Sequence, residues 1–175
     1  MPHIPNPKRC VELLRENGCS EAVVNHCKVV RDLAVQIAEK TNANIELVEA
    51  GALLHDIGRS KTHGIKHGIE GAKIAREIGL PECIELIIER HLGAGIPKDE
   101  AVKLGLPAKD YIPKTMEEKI VAHADNLIQN GKKQAIEKEV KKALKKGKKK
   151  LAERLIKLHT ELSDICGMDL DEITC

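Results

Sequence analysis

The chain has 175 residues, of which 42% are hydrophobic, enough for one domain with a substantial apolar core. Its 29 basic and 27 acidic residues leave a formal net charge of +2, so overall charge does not predict attraction to nucleic acid or membranes. The chain has one tyrosine and no Phe or Trp, which argues against binding of nucleic acid by base stacking. Because the sequence shows no signal-peptide pattern, no apolar run approaching about 18 residues and no C-x-x-C pair, we expect a cytoplasmic protein without membrane contact.

The first half of the chain repeats its apolar residues at helical period, and no stretch of the whole sequence alternates convincingly as a strand. The first predicted helix has Asn6 as its N-cap and Pro7 at its first position, and the second follows Ser20. Three more helices are predicted over residues 45–57, 67–78 and 81–92. The pattern predicts an all-α fold.

The second half begins with a Gly- and Pro-rich loop over residues 93–113, which could contain a short helix near 99–104. A capping box then starts the next helix, with Thr115 followed three residues later by Glu118. Beyond it lies a Lys-rich tail, which ends in apolar residues spaced alternately by four and three between Leu151 and Ile165.

This change of composition divides the chain into two regions. Residues 1–131 are predicted to form a helical domain, and residues 132–175 a Lys-rich helical extension that packs on the domain or on a partner. The apolar seam from Leu151 to Ile165 would allow a homodimer. The run 141–150 is typical of a solvated helix face, although it could also lie against an acidic partner or RNA.

Several histidines and an aspartate fall on helix faces that otherwise carry apolar residues. They come from five separate segments and are His26, His55, His67, His91 and Asp125. A single buried histidine is usually a core residue with a hydrogen-bond partner, but several of them with carboxylates indicate a metal site inside a helical bundle. Ligation by N and O atoms suits one or two ions of Zn, Mn, Fe, Ni or Mg, among which the sequence does not choose.

His55 and Asp56 are adjacent, and adjacent helical side chains diverge by about 100°. They could share one metal only near a helix end, where Gly58 lets the backbone turn. Alternatively, two metals could lie side by side with Asp56 between them. Either arrangement would explain why a helix directed to the core carries these two polar residues.

The order of His26, the sequence His55-Asp56-Ile57-Gly58 and Asp125 in "AHADNL" resembles the HD-domain superfamily of metal-dependent phosphohydrolases, in particular its subset with the HDIG signature. The resemblance covers roughly residues 20–130 and implies a bundle of about six to eight helices. It also implies that His26, His55, Asp56 and Asp125 ligate one divalent metal. His67 and His91 stand where members with two metals carry further histidines.

The resemblance implies a phosphomonoesterase or phosphodiesterase that acts on a small nucleotide-like substrate through a metal-activated water. Asp56 would bridge or orient this water, and Arg59 and Lys61 in "GRSKTH" would bind phosphate oxygens. These three residues are the predicted catalytic set, although Arg59 and Lys61 could equally be solvated loop residues. The "GYP" element of cyclic-di-nucleotide phosphodiesterases is not found in the sequence, which disfavours that substrate.

Two alternatives remain open. The chain could be a non-catalytic nucleotide- or RNA-binding module with a structural metal site, or an HD-type di-iron oxygenase, although nucleic acid is not the favoured partner. Of the other histidines, His63 is predicted either to contact the metal ligands without binding the metal itself or to be exposed. His123 is predicted to be a packing residue, and His3 and His159 to lie at the surface.

Overall fold

The computed structural model describes residues 2–174, and most of them are helical. The predicted all-α class is confirmed, with nine α-helices between residues 2 and 174. None of these described helices combines the length and the hydropathy needed to span a bilayer. The helices are α1 (Pro7–Glu16), α2 (Glu21–Ala38), α3 (Ile45–Leu54), α4 (His67–Glu77), α5 (Glu82–Glu89), α6 (Lys98–Lys103), α7 (Met116–Asn126), α8 (Ile136–Lys145) and α9 (Lys149–Cys166), with 3₁₀ turns at Ile57–Ser60 and Leu170–Glu172.

Three helices start where the sequence predicts their caps. The side-chain oxygens of Asn6, Ser20 and Thr115 accept the backbone N–H three positions further on, at 2.8, 3.3 and 3.2 Å. Glu118 does not complete the predicted capping box, because its carboxylate pairs with Arg90 and accepts the N–H of the residue before the cap. This buried ion pair ties the end of α5 to α7.

Two helices end earlier than predicted. Helix α3 stops at Leu54 rather than at residue 57, and α5 stops at Glu89 rather than at residue 92. At each end a histidine ring turns back onto the helix: Nδ1 of His55 and of His91 lies 2.6 Å from the carbonyl oxygen three residues earlier. Each ring thus donates to a carbonyl oxygen that would accept a backbone N–H if the helix continued for another turn.

A short hairpin follows α7, contrary to the expectation that no segment forms a strand. Strands β1 (Ile128–Gln129) and β2 (Lys132–Lys133) pair antiparallel. The two residues between them, Asn130 and Gly131, have φ of 51° and 75°. Two consecutive left-handed residues fit a type I′ turn, and Asn-Gly is its strongest sequence signal. This Asn-Gly signal is only two residues long, and the helical period of the apolar residues on both sides of it predicts helix there.

The C-terminal extension shares a core with the N-terminal helices. Leu155, Leu158 and Leu162 are buried in the same apolar cluster as residues of α2, α3 and α7. Ile165, at the end of the predicted seam, is 43% exposed. The seam therefore packs within the chain, and this internal contact removes the basis for a homodimer built on it.

The Gly- and Pro-rich loop is anchored by a small cluster of its own. Ile96 and Tyr111 exchange backbone hydrogen bonds of 3.0 and 2.8 Å, and the Tyr111 hydroxyl donates to the carbonyl of Pro107. Ala101 of α6 and Leu106 complete the cluster. The short helix predicted in this loop is confirmed.

His159 is only 8% exposed, so the prediction that it lies at the surface is wrong. Its Nε2 lies 2.7 Å from Asp169 Oδ1, and its Nδ1 lies 2.8 Å from Nε2 of His123. Since Asp169 accepts, a neutral His159 carries its proton on Nε2. Nδ1 of His159 then accepts a hydrogen bond from Nε2 of His123. His123 is fully buried, as its predicted packing role requires, and this chain of contacts attaches the C-terminal 3₁₀ turn to α7.

Burial, with a smaller contribution from His159 and Lys133, lowers the pKa of His123 from 6.5 to about 3. Below pH 6.5 the unfolded chain therefore binds a proton that the folded chain excludes. We expect His123 to lower the free energy of unfolding as pH falls from 6.5 toward 3, by at most about 1.4 kcal/mol per pH unit. The substitution His123→Gln keeps a donor for His159 and removes the titration, so its melting temperature should depend less on pH in this range.

Melting temperatures measured between pH 4 and 7 test this expectation. His3→Gln is the control, because His3 is exposed and its variant should follow the wild type. Parallel curves for wild type and His123→Gln would contradict the assignment.

Gly58 lets two backbone segments approach closely. A Cβ at this position would lie 1.8 Å from the carbonyl oxygen of His67 and 2.6 Å from the backbone nitrogen of Gly71, both in α4. The 3₁₀ turn that follows Asp56 can therefore pack on α4 only without a side chain here. This contact brings the start of α4 next to Asp56.

We expect Gly58→Ala to lower the free energy of unfolding by about 3 kcal/mol or more, because backbone atoms have little freedom to yield. Gly64→Ala is the matched control, since its Cβ would meet nothing closer than the Thr62 hydroxyl at 3.5 Å. Urea denaturation of both variants measures the difference. Equal stabilities would show that the turn can move away from α4.

Candidate metal centre

Asp56 is 2% exposed and lies between two groups of histidines. Its Oδ2 is 3.6 Å from Nε2 of His26 and 3.5 Å from Nε2 of His55. Its Oδ1 is 3.3 Å from Nε2 of both His67 and His91. The two carboxylate oxygens thus face different partners, which is the geometry of a bridging carboxylate.

Each group is compact by itself. In the first group, Oδ1 of Asp125 is 2.9 Å from Nε2 of His26 and 3.4 Å from Nε2 of His55. In the second group, Nε2 of His67 and Nε2 of His91 are 3.0 Å apart. Ligand atoms bonded to one ion at about 2.1 Å are separated by roughly 3.0–3.4 Å, so both groups have the spacing of a metal site.

The three buried imidazoles are oriented in the same way. Nδ1 of His55, of His67 and of His91 lies at 2.6, 2.8 and 2.6 Å from the carbonyl oxygen three residues earlier in the chain. A carbonyl only accepts, so each Nδ1 carries a proton, and in the neutral ring each Nε2 presents a lone pair. This is the usual arrangement for a metal-ligating histidine.

Two buried atoms of the cluster have no hydrogen-bond partner within residues 2–174, namely Nε2 of His55 and Oδ1 of Asp56. His67 and His91 pose a related problem, because two Nε2 lone pairs 3.0 Å apart repel each other unless a cation lies between them. Unpaired buried polar atoms are costly. These residues therefore fit one or two divalent cations.

The field within the cluster favours positive charge. Burial opposes protonation of His55, but the carboxylates of Asp56 and Asp125 outweigh it and hold the pKa of His55 well above its ordinary value. Burial also opposes ionisation of Asp56, and the imidazoles of His55, His67 and His91 outweigh it, so the pKa of Asp56 lies well below its usual range. A proton and a metal cation respond to the same carboxylates.

Cys27 is a neighbour that the sequence did not identify. Its sulfur lies within 4.8 Å of ligand atoms of His55 and Asp56, on the buried side of the first group. Burial raises the pKa of this thiol, which keeps it protonated and a weak ligand.

The two basic residues after the HDIG sequence lie in different places. Arg59 forms an ion pair with Asp56, with Nε 2.9 Å from Oδ2, and donates from Nη1 to the carbonyl of His63. It also lines the cavity beside the cluster. Lys61 is exposed and lines a separate shallow depression. In a 3₁₀ turn residues three apart share a face, so Arg59 follows Asp56 and Lys61 turns away.

A cavity of about 950 Å³ opens beside the cluster. His26, His67, His91 and Asp125 lie on its wall, and the exposed His63 lines it as well. Further lining residues, which the sequence did not predict for the site, include Asn126, Lys142, Lys146, Lys148, Lys149, Lys150, Leu151 and Arg154. Adjacency to Asp125 is the only sequence signal for Asn126, which donates to the carbonyl of Gly93 at 3.0 Å.

The separation into two groups leads to a test by metal analysis. We expect His67→Gln to lose one of two bound metals, because the second group contains only His67 and His91 besides the shared Asp56. Asp56→Asn should reduce both sites. Elemental analysis after reconstitution with Mn²⁺ measures the ratio of metal to protein.

His63→Gln is the control for this measurement, since His63 lines the same cavity and belongs to neither group. One metal in the wild type, retained in His67→Gln, would contradict a second site.

Comparison with known proteins places the chain in a family. Residues 23–130 match the family model described as "HD domain". The chain is 51% identical over 170 residues to a tRNA (cytidine(56)-2'-O)-methyltransferase of Thermoplasma volcanium, which covers 97% of this chain and 50% of the relative. It is 55% identical over 131 residues to an uncharacterized protein of Methanocaldococcus jannaschii, covering 72% of this chain and 78% of that one.

The chain spans about half the length of the methyltransferase relative. Among solved structures, the HD domain of the L. monocytogenes phosphodiesterase PgpH in complex with cyclic-di-AMP superposes with a TM-score of 0.56 at 19% identity, covering 90% of this chain and 96% of that one. At this identity the superposition establishes the fold. The family match, which spans the helices that carry His26, His55, Asp56 and Asp125, shows that the chain belongs to the HD-domain family.

Proposed function

We propose that this protein is a metal-dependent phosphohydrolase that cleaves a phosphomonoester or phosphodiester in a small nucleotide. The observation that carries the proposal is the position of Asp56, with one oxygen facing His26 and His55 and the other facing His67 and His91. A structural ion would need only one of these groups. Two adjacent groups that share a carboxylate, at the edge of a cavity, favour a catalytic centre.

In this proposal His26, His55, Asp56 and Asp125 hold one divalent metal, and His67 and His91 hold a second one together with Asp56. Zn, Mn, Fe, Ni and Mg all suit this N and O donor set. The carbonyls that accept from Nδ1 of His55, His67 and His91 fix each ring, so little reorganisation is needed when a cation binds.

A divalent metal held at these residues supplies Lewis acidity, which acidifies water and offsets negative charge on phosphoryl oxygens. Asp56 is the residue that orients the attacking water, since its carboxylate lies between both groups. Arg59 binds a phosphate oxygen through the part of its guanidinium that Asp56 does not use, and the ion pair with Asp56 holds it at the cavity wall. Lys61 is left out of this set, because it faces a different depression.

The size of the cavity supports a nucleotide as the substrate. A volume of about 950 Å³ lies within the range of small-molecule sites. Apolar side chains such as Leu92, Leu151 and Leu155 line it together with the charged ones, and they could accept a base and a ribose.

Binding of RNA without turnover is the second candidate. The methyltransferase relative, whose name refers to tRNA, supports it, because this chain matches about half of that protein. On this alternative the metal site would stabilise the fold, and phosphate ligands would bind without being cleaved. A di-iron oxygenase is distinguished from both by the identity of the bound metal.

The test is a nucleotide screen with protein reconstituted separately with each candidate metal. We expect release of phosphate or of a nucleotide from at least one mono-, cyclic or dinucleotide substrate. Asp56→Asn should reduce kcat by at least about 100-fold, because it removes both the shared ligand and the group that orients water. Chromatography of the products separates monoester from diester cleavage.

Asp164→Asn is the matched control, since Asp164 is exposed on α9 and lies outside the cluster. Failure to bind any metal on reconstitution would overturn the proposal. Full metal binding without turnover of any nucleotide would favour the RNA-binding alternative, and an iron pair with oxygen uptake would favour the oxygenase.

A further inference from the structure

Four lysines at the turn between α8 and α9 line the same cavity as the His and Asp cluster. They are Lys146, Lys148, Lys149 and Lys150, called here the α8–α9 lysine cluster. Gly147, with φ of 71°, makes the turn between the two helices. The sequence predicts this run as a solvated helix face, and all four lysines are exposed. The fold also places them beside the cavity that contains the proposed reaction site.

The α8–α9 lysine cluster has no carboxylate partners among the described residues. Within residues 2–174, none of its four ammonium groups forms an ion pair within 4.0 Å, whereas Lys141 and Lys142 of the same run pair with Glu137 and Glu139. Helix α9 also begins here without an acidic residue in its first turn. Its positive end therefore adds to the lysine charges rather than offsetting them.

This concentration of charge is held in place by specific contacts. Arg154 of α9 forms a bidentate ion pair with Glu100 of α6 at 2.9 and 2.7 Å. A Cβ on Gly93 would lie 3.2 Å from Leu151, so the first turn of α9 packs on the loop after His91. The lysines are thus presented on a fixed wall and not on a free tail.

The charge of the whole cavity wall supports the same conclusion. Eight basic and four acidic residues line it. The acidic ones are Asp99, Glu100, Asp125 and Glu139, of which Glu100 is paired with Arg154, Glu139 accepts from Gln134, and Asp125 belongs to the metal centre. The excess of positive charge lies mainly in the α8–α9 lysine cluster. Like charges gathered at a cavity without counter-charges favour an anionic ligand.

We propose that the α8–α9 lysine cluster binds a second phosphate of the substrate, so that the natural substrate is a small nucleotide with at least one phosphate besides the one that is cleaved. The inference rests on the proposed function, because it takes the His and Asp cluster as the position of the reacting phosphate. It assigns substrate selection to the C-terminal extension, which lies outside the residues that match the family model.

A small nucleotide fits the site better than an RNA strand does. The ion pair between Arg154 and Glu100 joins α9 to α6 at the cavity wall, so this wall is held in one shape. Among the described residues no Phe, Tyr or Trp side chain lines the cavity, and Tyr111 is buried in the loop cluster. Bases of a strand would therefore lack the usual stacking surface.

The first measurement is binding to metal-free protein in the presence of chelator, with adenosine 3',5'-bisphosphate and AMP as probes in a calorimeter. We expect the wild type to bind the bisphosphate at least about tenfold more tightly than AMP. The triple variant K148A/K149A/K150A should lose this preference. The control K40A/K138A/K145A removes the same charge from exposed positions outside the cavity and should keep it.

Thermal melting shows whether the triple variant is folded. Removing like charges at the start of α9 should leave its melting temperature unchanged or raise it at low ionic strength. A double variant, K149A/K150A, provides a second measurement if the triple variant is unstable. Loss of the bisphosphate preference in a folded variant supports the inference.

The outcomes separate the inference from the proposed function. If the lysine-dependent preference is present but no metal supports turnover, the anion site stands and the phosphohydrolase proposal fails. If turnover occurs with equal kcat/KM for nucleotides with one and with two phosphates, the inference is overturned. It is also overturned if the triple variant changes only the binding of a short oligoribonucleotide, because the lysines then bind an RNA strand.

Discussion

Burial of the Asp56 carboxylate, next to the half-buried Asp125, is the constraint on which this structure depends. Asp56 is 2% exposed, an isolated charge there would be strongly unfavourable, and Arg59 at 2.9 Å offsets part of it. The imidazoles of four histidines provide partial compensation, and each is itself fixed by a backbone or carboxylate contact. A cation would complete the compensation. Each of these buried polar groups would be unfavourable alone, and they are tolerated in the core because the carboxylates and imidazoles offset one another.

The ends of the helices follow from this constraint. His55 and His91 lie at the ends of α3 and α5, and each ring contacts the carbonyl three residues earlier, so one ring both caps a helix and presents Nε2 to the cluster. Ile57 is fully buried and anchors the 3₁₀ turn in the core, while Gly58 allows α4 to pass close by. The four consecutive residues thus differ in position: His55 caps α3, Asp56 lies between two groups of histidines, Ile57 is buried in the core and Gly58 allows the close approach of α4.

The sequence predicted the helices and the phase of the polar residues on them, because apolar periodicity is local and every turn repeats it. The position of Asp56 between two groups could be stated only as one of two options, since it depends on where α3 ends. The Lys-rich run is exposed, as predicted, but its position beside the cavity was not predicted. That position depends on the packing of α9 on Gly93, a long-range contact that periodicity does not contain. Arg59 and Lys61 are two residues apart in the turn after Asp56, so they face different sides of it.

The shared core of the extension and the N-terminal helices has a consequence for how the protein unfolds. Leu155 and Leu162 of α9 belong to the same apolar cluster as Val30, Ile37 and Ile120. A chain cut at the boundary suggested by composition would expose the faces of α2 and α7 that α9 now covers. The two regions are therefore coupled energetically, and the extension should melt in the same cooperative transition as the helices that carry the His and Asp cluster rather than in a separate one. In this protein the segment that carries the lysines is also a part of the scaffold.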